Sequence, residues 1–209
     1  DWPVNHTDLT ALINSKEQLN PDYVKNRLQT TQKGFHAIEY LLFGENNDRQ
    51  ASQLSARELK LLQLLTTDFH QTAQELEQSW VAGVDGQPAF RQVFTTAGNS
   101  TNTTYPTTKA ALAEIVNGII GCVEEVGEEK IGGPIASKQI LDFESRFSHT
   151  SLNDFKNNLT SARNAYLGEF NGIKGKSVSD LVAEADPEAD QEIKTQLQAA
   201  LSALEAVPS

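Results

Sequence analysis

The chain has 209 residues, of which 22% are charged and 38% are hydrophobic, as expected of one folded domain or two small ones and not of a disordered chain. The net charge of −11 excludes the basic surface that binds nucleic acid. A single cysteine, Cys122, excludes an internal disulfide and a multi-cysteine metal site. No apolar run approaches the ~18 residues of a membrane span. The sequence starts at Asp1 and lacks methionine, so we expect a trimmed product whose targeting segment was removed.

Helix signals dominate the first half of the chain. Asn20 followed by Pro21 predicts an N-cap and a first helical position. Residues 35–43 form an apolar segment with a glycine at each end. Ser55 and Glu58 have the spacing of a capping box at the start of a long amphipathic helix. The apolar positions of that helix, three or four residues apart, predict its buried stripe: Leu59, Leu62, Leu65, Phe69, Ala73, Leu76 and Trp80.

The second half repeats the helical pattern after a polar, low-complexity segment over residues 95–104. Pro106 predicts the start of a long helix, and the glycine-rich residues 127–134 predict a break. Residues 137–147 are predicted to form a helix followed by a turn, and residues 168–175 a loop. Further helix starts are predicted at three positions: Ser151, Ser177 and Asp186-Pro187.

The predicted fold is all-α, built from antiparallel helical bundles, because period-two alternation is rare throughout the chain. We predict two bundle-like halves. The first covers residues 1–94 and the second residues 105–209, with 95–104 as a polar linker. Together they would form one domain with a cleft between its halves.

The sharpest chemical feature is the run Gly34-Phe35-His36-Ala37-Ile38-Glu39. Residues three apart lie on one face of a helix, so His36 and Glu39 project together from an otherwise apolar segment. Imidazole and carboxylate together suit zinc, iron or manganese. The alternative is structural: a core His–Glu hydrogen bond, or a glutamate paired with an arginine. Because residues 37 and 40 are alanine and tyrosine, the segment lacks the second histidine of a zinc-protease helix.

A second cluster spans residues 142–149, Asp-Phe-Glu-Ser-Arg-Phe-Ser-His. Arg146 could pair with Glu39 or Glu144, or bind a substrate carboxylate through two parallel N–H groups. The structural alternative is a capped turn that carries surface charges. Of the other histidines, His70 is predicted to lie at the edge of the buried stripe or at the surface, and His6 in an N-terminal turn.

These segments resemble the imelysin family, which includes insulin-cleaving membrane proteases, iron-regulated proteins and periplasmic components of iron-uptake systems. Residues 34–44 are similar to its G-x-H-x-x-E signature. Three further stretches match in the expected order: Asp1-Trp2-Pro3, Glu144-Ser145-Arg146-Phe147-Ser148 and Tyr166-Leu167-Gly168. Family members are usually longer and carry one helix before this region and one after it.

The resemblance implies that His36 and Glu39 are metal ligands and that Gly34 is the structural glycine of the motif. It also implies a second wall of the site, made of Glu144, Ser145, Arg146 and Ser148. The expected cofactor is an iron or zinc ion, and the expected function is extracytoplasmic binding of an iron-type ion, or of a ligand that carries one, in iron acquisition. The expected location is the periplasm or the cell surface. One version of this expectation is a protein anchored to the membrane through an N-terminal segment that was removed.

Two other functions stay open at this point. One is a metal-dependent peptidase, in which Glu39 would be a ligand or the general base. The other is an interaction module, in which His36 and Glu39 form a buried polar network. Under any of these functions, the expected partners are a metal ion or small ligand, and also other envelope proteins or the flanking helices.

Overall fold

The computed structural model describes residues 3–208, and these confirm an all-α fold. Part of the Asp1-Trp2-Pro3 resemblance, Asp1 and Trp2, lies outside the described residues. The chain divides into two compact units. Unit 1 runs to Gln92 and also includes Glu144–His149, whereas unit 2 comprises Val93–Phe143 and the residues from Thr150 onwards. The Glu144–Ser148 segment, which the sequence analysis assigned to the second half, thus packs within unit 1.

Unit 1 is built around the apolar faces of four helices and a core that contains Leu9, Leu41, Leu61 and Leu65. Its helices are α1 (His6–Asn14), α2 (Pro21–Arg27), α3 (Phe35–Phe43) and α4 (Ala56–Val81), followed by the short α5 (Phe90–Thr95), which extends into unit 2. The long α4 contacts α1, α2 and α3. It therefore forms the surface on which the N-terminal helices are assembled.

Unit 2 is built around α8, which contacts most of the other elements of the unit. Its helices are α6 (Thr108–Glu124), α7 (Gly133–Ser137), α8 (Ser151–Leu167), α9 (Val178–Ala185) and α10 (Pro187–Glu205). A two-stranded antiparallel sheet, β1 (Glu169–Phe170) and β2 (Ile173–Lys174), follows α8. The buried face of α8 carries Phe155, Leu159, Ala162 and Tyr166, as its spacing predicted.

The predicted helix starts are confirmed at positions where a side chain caps the first turn of the helix. The Asn20 side chain accepts a hydrogen bond from the Tyr23 amide at the start of α2. Ser55 and Glu58 form the predicted capping box of α4. These caps satisfy amide groups that have no partner within the helix, which is why the starts can be read from the sequence.

The predicted stripe of α4 is correct only in part: Leu65 is buried and Leu62 packs against the core, but the stripe is shorter than predicted and also includes Leu61 and Leu64. The buried residues are Leu61, Leu64 and Leu65, whereas Leu59, Leu76 and Trp80 are about half exposed. All three buried residues lie in the first half of α4, whereas in its second half Trp80 contacts the Phe90 ring of α5 and stays half exposed. Tertiary contact therefore buries a face that overlaps the predicted one only in part.

Four local predictions also need correction. The helix predicted from Pro106 begins at Thr108, because the Thr107 side chain caps it. The predicted break over residues 127–134 is a π-helix, Glu125–Gly132, that continues into α7. In residues 137–147 the predicted turn is present, but the helix before it is only a short 3₁₀ helix, Ile140–Asp142. The predicted loop over 168–175 contains the β-hairpin.

Phe147 anchors the Glu144–His149 segment in unit 1. Its side chain is completely buried in the same core as Leu41 and Leu65. Its ring lies edge-on to the ring of Tyr40, at 5.2 Å between centroids. A segment about a hundred residues distant in sequence is thus fixed against α3 by burial of an aromatic side chain.

Replacing Phe147 with alanine is expected to destabilise unit 1 by about 3–5 kcal/mol, because it removes a fully buried ring and leaves a cavity. Urea unfolding followed by far-ultraviolet circular dichroism measures the change. The exposed Phe170, replaced by alanine, is the matched control and should change the free energy of unfolding by less than about 0.5 kcal/mol. Equal effects of the two substitutions would contradict the anchoring role.

A buried carboxylate network holds unit 2 together, and the sequence analysis did not find it. Asp190 accepts hydrogen bonds from the Tyr166 hydroxyl (2.9 Å) and the Ser179 hydroxyl (2.7 Å), and its second oxygen lies 2.6 Å from Lys194 Nζ. The Lys194 ammonium and the Ser179 hydroxyl lower the pKa of Asp190. Burial, with the Asp190 carboxylate beside it, raises the pKa of Tyr166 to about 12. The network joins α8, α9 and α10.

The Tyr166→Phe variant is expected to lose about 2 kcal/mol of stability, because it removes a hydroxyl that donates to a charged group. Urea unfolding measures the loss. Tyr23→Phe, in unit 1, is the matched control, and its change should stay within about 0.5 kcal/mol. If both variants unfolded at the wild-type urea concentration, Tyr166 would have no energetic role in the network.

Candidate functional site

Helix α3 presents His36 and Glu39 on one face at its N-terminal end. Gly34 caps the helix with φ at +89°, a conformation that side chains other than glycine rarely adopt, and so allows the abrupt start. The two residues lie three apart and are each only 8% exposed. Burying the charged carboxylate of Glu39 costs free energy unless the charge is paired. The hydrogen-bond partners of Glu39 therefore determine whether α3 is stable in this position.

Both oxygens of the Glu39 carboxylate have hydrogen-bond donors. Oε2 lies 2.8 Å from His36 Nδ1. Oε1 accepts from the Ser148 amide at 2.8 Å and from the Ser148 hydroxyl at 2.7 Å. Burial alone would raise the pKa of Glu39, but the hydrogen bonds from His36 and Ser148 outweigh it and lower the pKa below its ordinary value of 4.5. Glu39 is therefore an ionised carboxylate that orients the His36 ring.

The other ring nitrogen of His36 faces a second carboxylate. His36 Nε2 lies 3.7 Å from Glu144 Oε1. The imidazole thus stands between Glu39 on α3 and Glu144 on the incoming segment. Because Glu39 is ionised and accepts from Nδ1, the ring is held in the tautomer that carries a proton on Nδ1. This presents Nε2 towards Glu144.

Arg146 contacts the first residue of α1. Its Nη2 donates to His6 Nδ1 at 3.0 Å, and its guanidinium lies 4.6 Å from the centroid of the Phe147 ring. His6 Nε2 in turn lies 3.5 Å from Glu45 Oε1. The first residue of α1 thus contacts the Glu144–His149 segment. Only the tertiary structure shows that His6 belongs beside this site, because nothing in its local sequence distinguishes it.

The structure thus brings four of the predicted site residues into one cluster: His36, Glu39, Glu144 and Ser148. Ser145 is buried in the same segment. His70 and His149 are exposed. Cys122 belongs to unit 2, where its thiol lies 3.5 Å from the Asn158 carbonyl and burial raises its pKa. The roles of the clustered residues as metal ligands stay predictions.

The side chains of this cluster meet some of the requirements of a site for an iron-type or zinc ion. A histidine whose second ring nitrogen is held by a carboxylate is typical of metal-binding imidazoles. The 3.7 Å between His36 Nε2 and Glu144 Oε1 is near the ~3.4 Å that separates two ligands of a tetrahedral ion. Within residues 3–208, however, no group of three or more His, Cys, Asp or Glu side chains is arranged to hold a metal. The cluster would therefore supply two donors, His36 and Glu144.

The fold and the cluster together define an all-α protein in which a buried imidazole stands between two carboxylates. The imelysin family, peptidase family M75, matches residues 1–209, and the chain belongs to this family. The resemblance seen in the sequence is thereby confirmed.

Two relatives extend this comparison. The chain is 36% identical over 209 residues to iron-regulated protein A of Synechococcus elongatus and covers 54% of that protein's length. A crystal structure from Parabacteroides distasonis, provisionally named an iron-regulated protein A precursor, matches the whole chain with a TM-score of 0.86 at 22% identity. This second match shows the fold. The chain spans 64% of that structure and about half of the curated relative.

Glu39→Gln is expected to cost about 2 kcal/mol near neutral pH, because it removes the charge that three hydrogen bonds stabilise. The folded-state pKa of Glu39 is lowered, so its contribution is complete well above 4.5 and is lost as the pH falls through the folded-state value. The difference between wild type and variant should therefore shrink in acid. Urea unfolding across a pH series measures it.

The matched control for this series is Glu77→Gln, which changes an exposed glutamate of α4. Its difference from wild type should be small at every pH. A Glu39→Gln difference that stayed constant from neutral pH into acid would show that the charge of Glu39 does not stabilise the fold.

Proposed function

We propose that this chain belongs to an extracytoplasmic protein that binds an iron-type metal ion, or a ligand that carries one, at the His36–Glu144 pair and thereby supports iron acquisition. The observation that carries the proposal is the line of Glu39, His36 and Glu144, with contacts of 2.8 Å and 3.7 Å on the two sides of one imidazole. The names of the two relatives, an iron-regulated protein and a precursor, support the iron connection and the location outside the cytoplasm.

Glu39 acts in this proposal as a positioning residue. Its two oxygens are engaged by His36 and Ser148, so the carboxylate is committed to holding the ring. The metal-facing atoms are Nε2 of His36 and a carboxylate oxygen of Glu144. When bound, the ion would supply positive charge between these two donors, and its remaining ligands would come from the bound species or solvent.

Two donors favour a metal that arrives with ligands of its own. Structural metal sites take four protein ligands and catalytic ones commonly three. The described residues offer His36 and Glu144, both of them largely buried. A chelated ion retains part of its coordination shell, so this pair could bind it without a complete protein cage.

A peptidase is less well supported by the geometry. A general base needs a carboxylate oxygen directed at a substrate water, and both Glu39 oxygens already accept hydrogen bonds from His36 and Ser148. The lowered pKa of Glu39 also makes it a weaker base. Incubation with a denatured peptide substrate, with and without a chelator, tests this alternative; chelator-sensitive cleavage lost in Glu39→Ala would establish it.

Calorimetric titration with Fe²⁺ without oxygen, and separately with ferric citrate, tests the binding proposal. Wild type should bind at one site. His36→Ala should abolish binding, Glu144→Gln should weaken it at least about tenfold, and Glu39→Gln should weaken it about 10–100-fold through loss of ring orientation. Circular dichroism should show unchanged helicity in each variant.

The matched control is His70→Ala, which removes an exposed histidine from α4. It should leave affinity unchanged. If His36→Ala and His70→Ala bound either probe like wild type, or if wild type bound neither, the cluster would be a structural network and the proposal would be rejected.

A further inference from the structure

A projecting β-hairpin of unit 2 is a feature that the proposed function does not use. Strands β1 and β2 pair antiparallel, with Phe170 opposite Ile173. The turn between them, Asn171-Gly172, has φ values of +49° and +77°, as two-residue hairpins require. All eight residues from 169 to 176 are exposed.

The base of this hairpin is closely packed, so the projection has a defined position. Gly168 ends α8 with φ at +61°, and a Cβ there would lie 2.9 Å from the Ser177 Cβ. The Gly175 amide donates to the Gly168 carbonyl at 2.9 Å. Ser177 and Asp180 then form the capping box of α9. Helices on both sides thus fix where the hairpin leaves unit 2.

The hairpin presents two large apolar side chains to solvent. Phe170 is 68% exposed and Ile173 is 75% exposed. As cross-strand partners they are adjacent on one face. Together with Ala165 of α8 they line a groove of about 450 Å³. Contiguous apolar surface held in this way is typical of interaction sites.

Positive charge accompanies the apolar pair. Lys174 and Lys176 are exposed on the same hairpin, which contains one acidic residue, Glu169. The nearby Asp180 carboxylate accepts hydrogen bonds from the Ser177 amide and hydroxyl. Asp180 also interacts electrostatically with both lysines and offsets part of their charge. Residues 169–176 carry a net charge of +1, two lysines against Glu169, whereas the whole chain carries −11. The chemistry of the hairpin complements a surface that is both apolar and anionic.

We propose that residues 169–176 dock on an anionic lipid surface, with Phe170 and Ile173 entering the acyl boundary and Lys174 and Lys176 contacting the headgroups. A stable protein–protein interface takes roughly 20 residues or more from each partner, and the hairpin together with the few α8 residues that line the groove falls short of that. Interfacial lipid binding instead scales with the inserted apolar area and the number of basic residues. The contact is weak, reversible and sensitive to salt. It is independent of the metal-binding proposal.

Flotation of the full chain with lipid vesicles tests this proposal. Vesicles of phosphatidylglycerol mixed with phosphatidylcholine should bind the chain, and vesicles of phosphatidylcholine alone should bind it less. The double substitution Phe170→Ser and Ile173→Ser should abolish binding. Lys174→Gln should weaken it about fivefold, and so should Lys176→Gln, while higher salt should weaken binding of the wild type.

Matched controls distinguish vesicle binding by this hairpin from non-specific binding through other exposed apolar or basic side chains. Ile140→Ser removes an equally exposed apolar side chain, and Lys109→Gln an exposed lysine, both elsewhere in unit 2. Both should bind like wild type. Wild type that does not float with phosphatidylglycerol vesicles would overturn the proposal, as would binding that survives the double substitution. Concentration-dependent dimerisation lost in that variant, measured by analytical ultracentrifugation, would assign the surface to a second copy instead.

Discussion

The buried carboxylate of Glu39 is the constraint on which the arrangement of the site depends. A charge at this depth in an apolar helix is tolerable only with donors on both oxygens. His36 supplies one of them from the preceding turn, and Ser148 supplies two from a segment 109 residues later. The charge therefore requires unit 1 to include residues that belong, in sequence, among the elements of unit 2.

That requirement explains the composition of the Glu144–His149 segment. Phe147 occupies the core of unit 1, Ser148 satisfies Glu39, and Arg146 contacts His6 on α1. Each side chain thus has a separate contact within the unit. Glu144 completes the arrangement by facing His36 from the side opposite Glu39. The segment serves the fold and the site at once, so a substitution in it should be tested for both stability and binding.

Unit 2 uses the same principle for a structural purpose. Asp190 is buried, but hydroxyl groups from two helices and the Lys194 ammonium surround it. Glu39 and Asp190 differ in the groups to which they are hydrogen-bonded. Glu39 holds an imidazole whose other nitrogen faces Glu144, whereas Asp190 is enclosed by groups that join helices. This contrast is why the candidate site lies in unit 1.

The sequence by itself determined the helical class, most helix starts and the shared face of His36 and Glu39, because caps and three-residue spacing act within one or two turns. Only the tertiary structure decided which face of α4 is buried, because partner helices choose among similar stripes. It also decided that Ser148 binds Glu39 and that His6 contacts Arg146. Such contacts join residues more than a hundred positions apart, and packing of the whole unit, which no local pattern encodes, selects them.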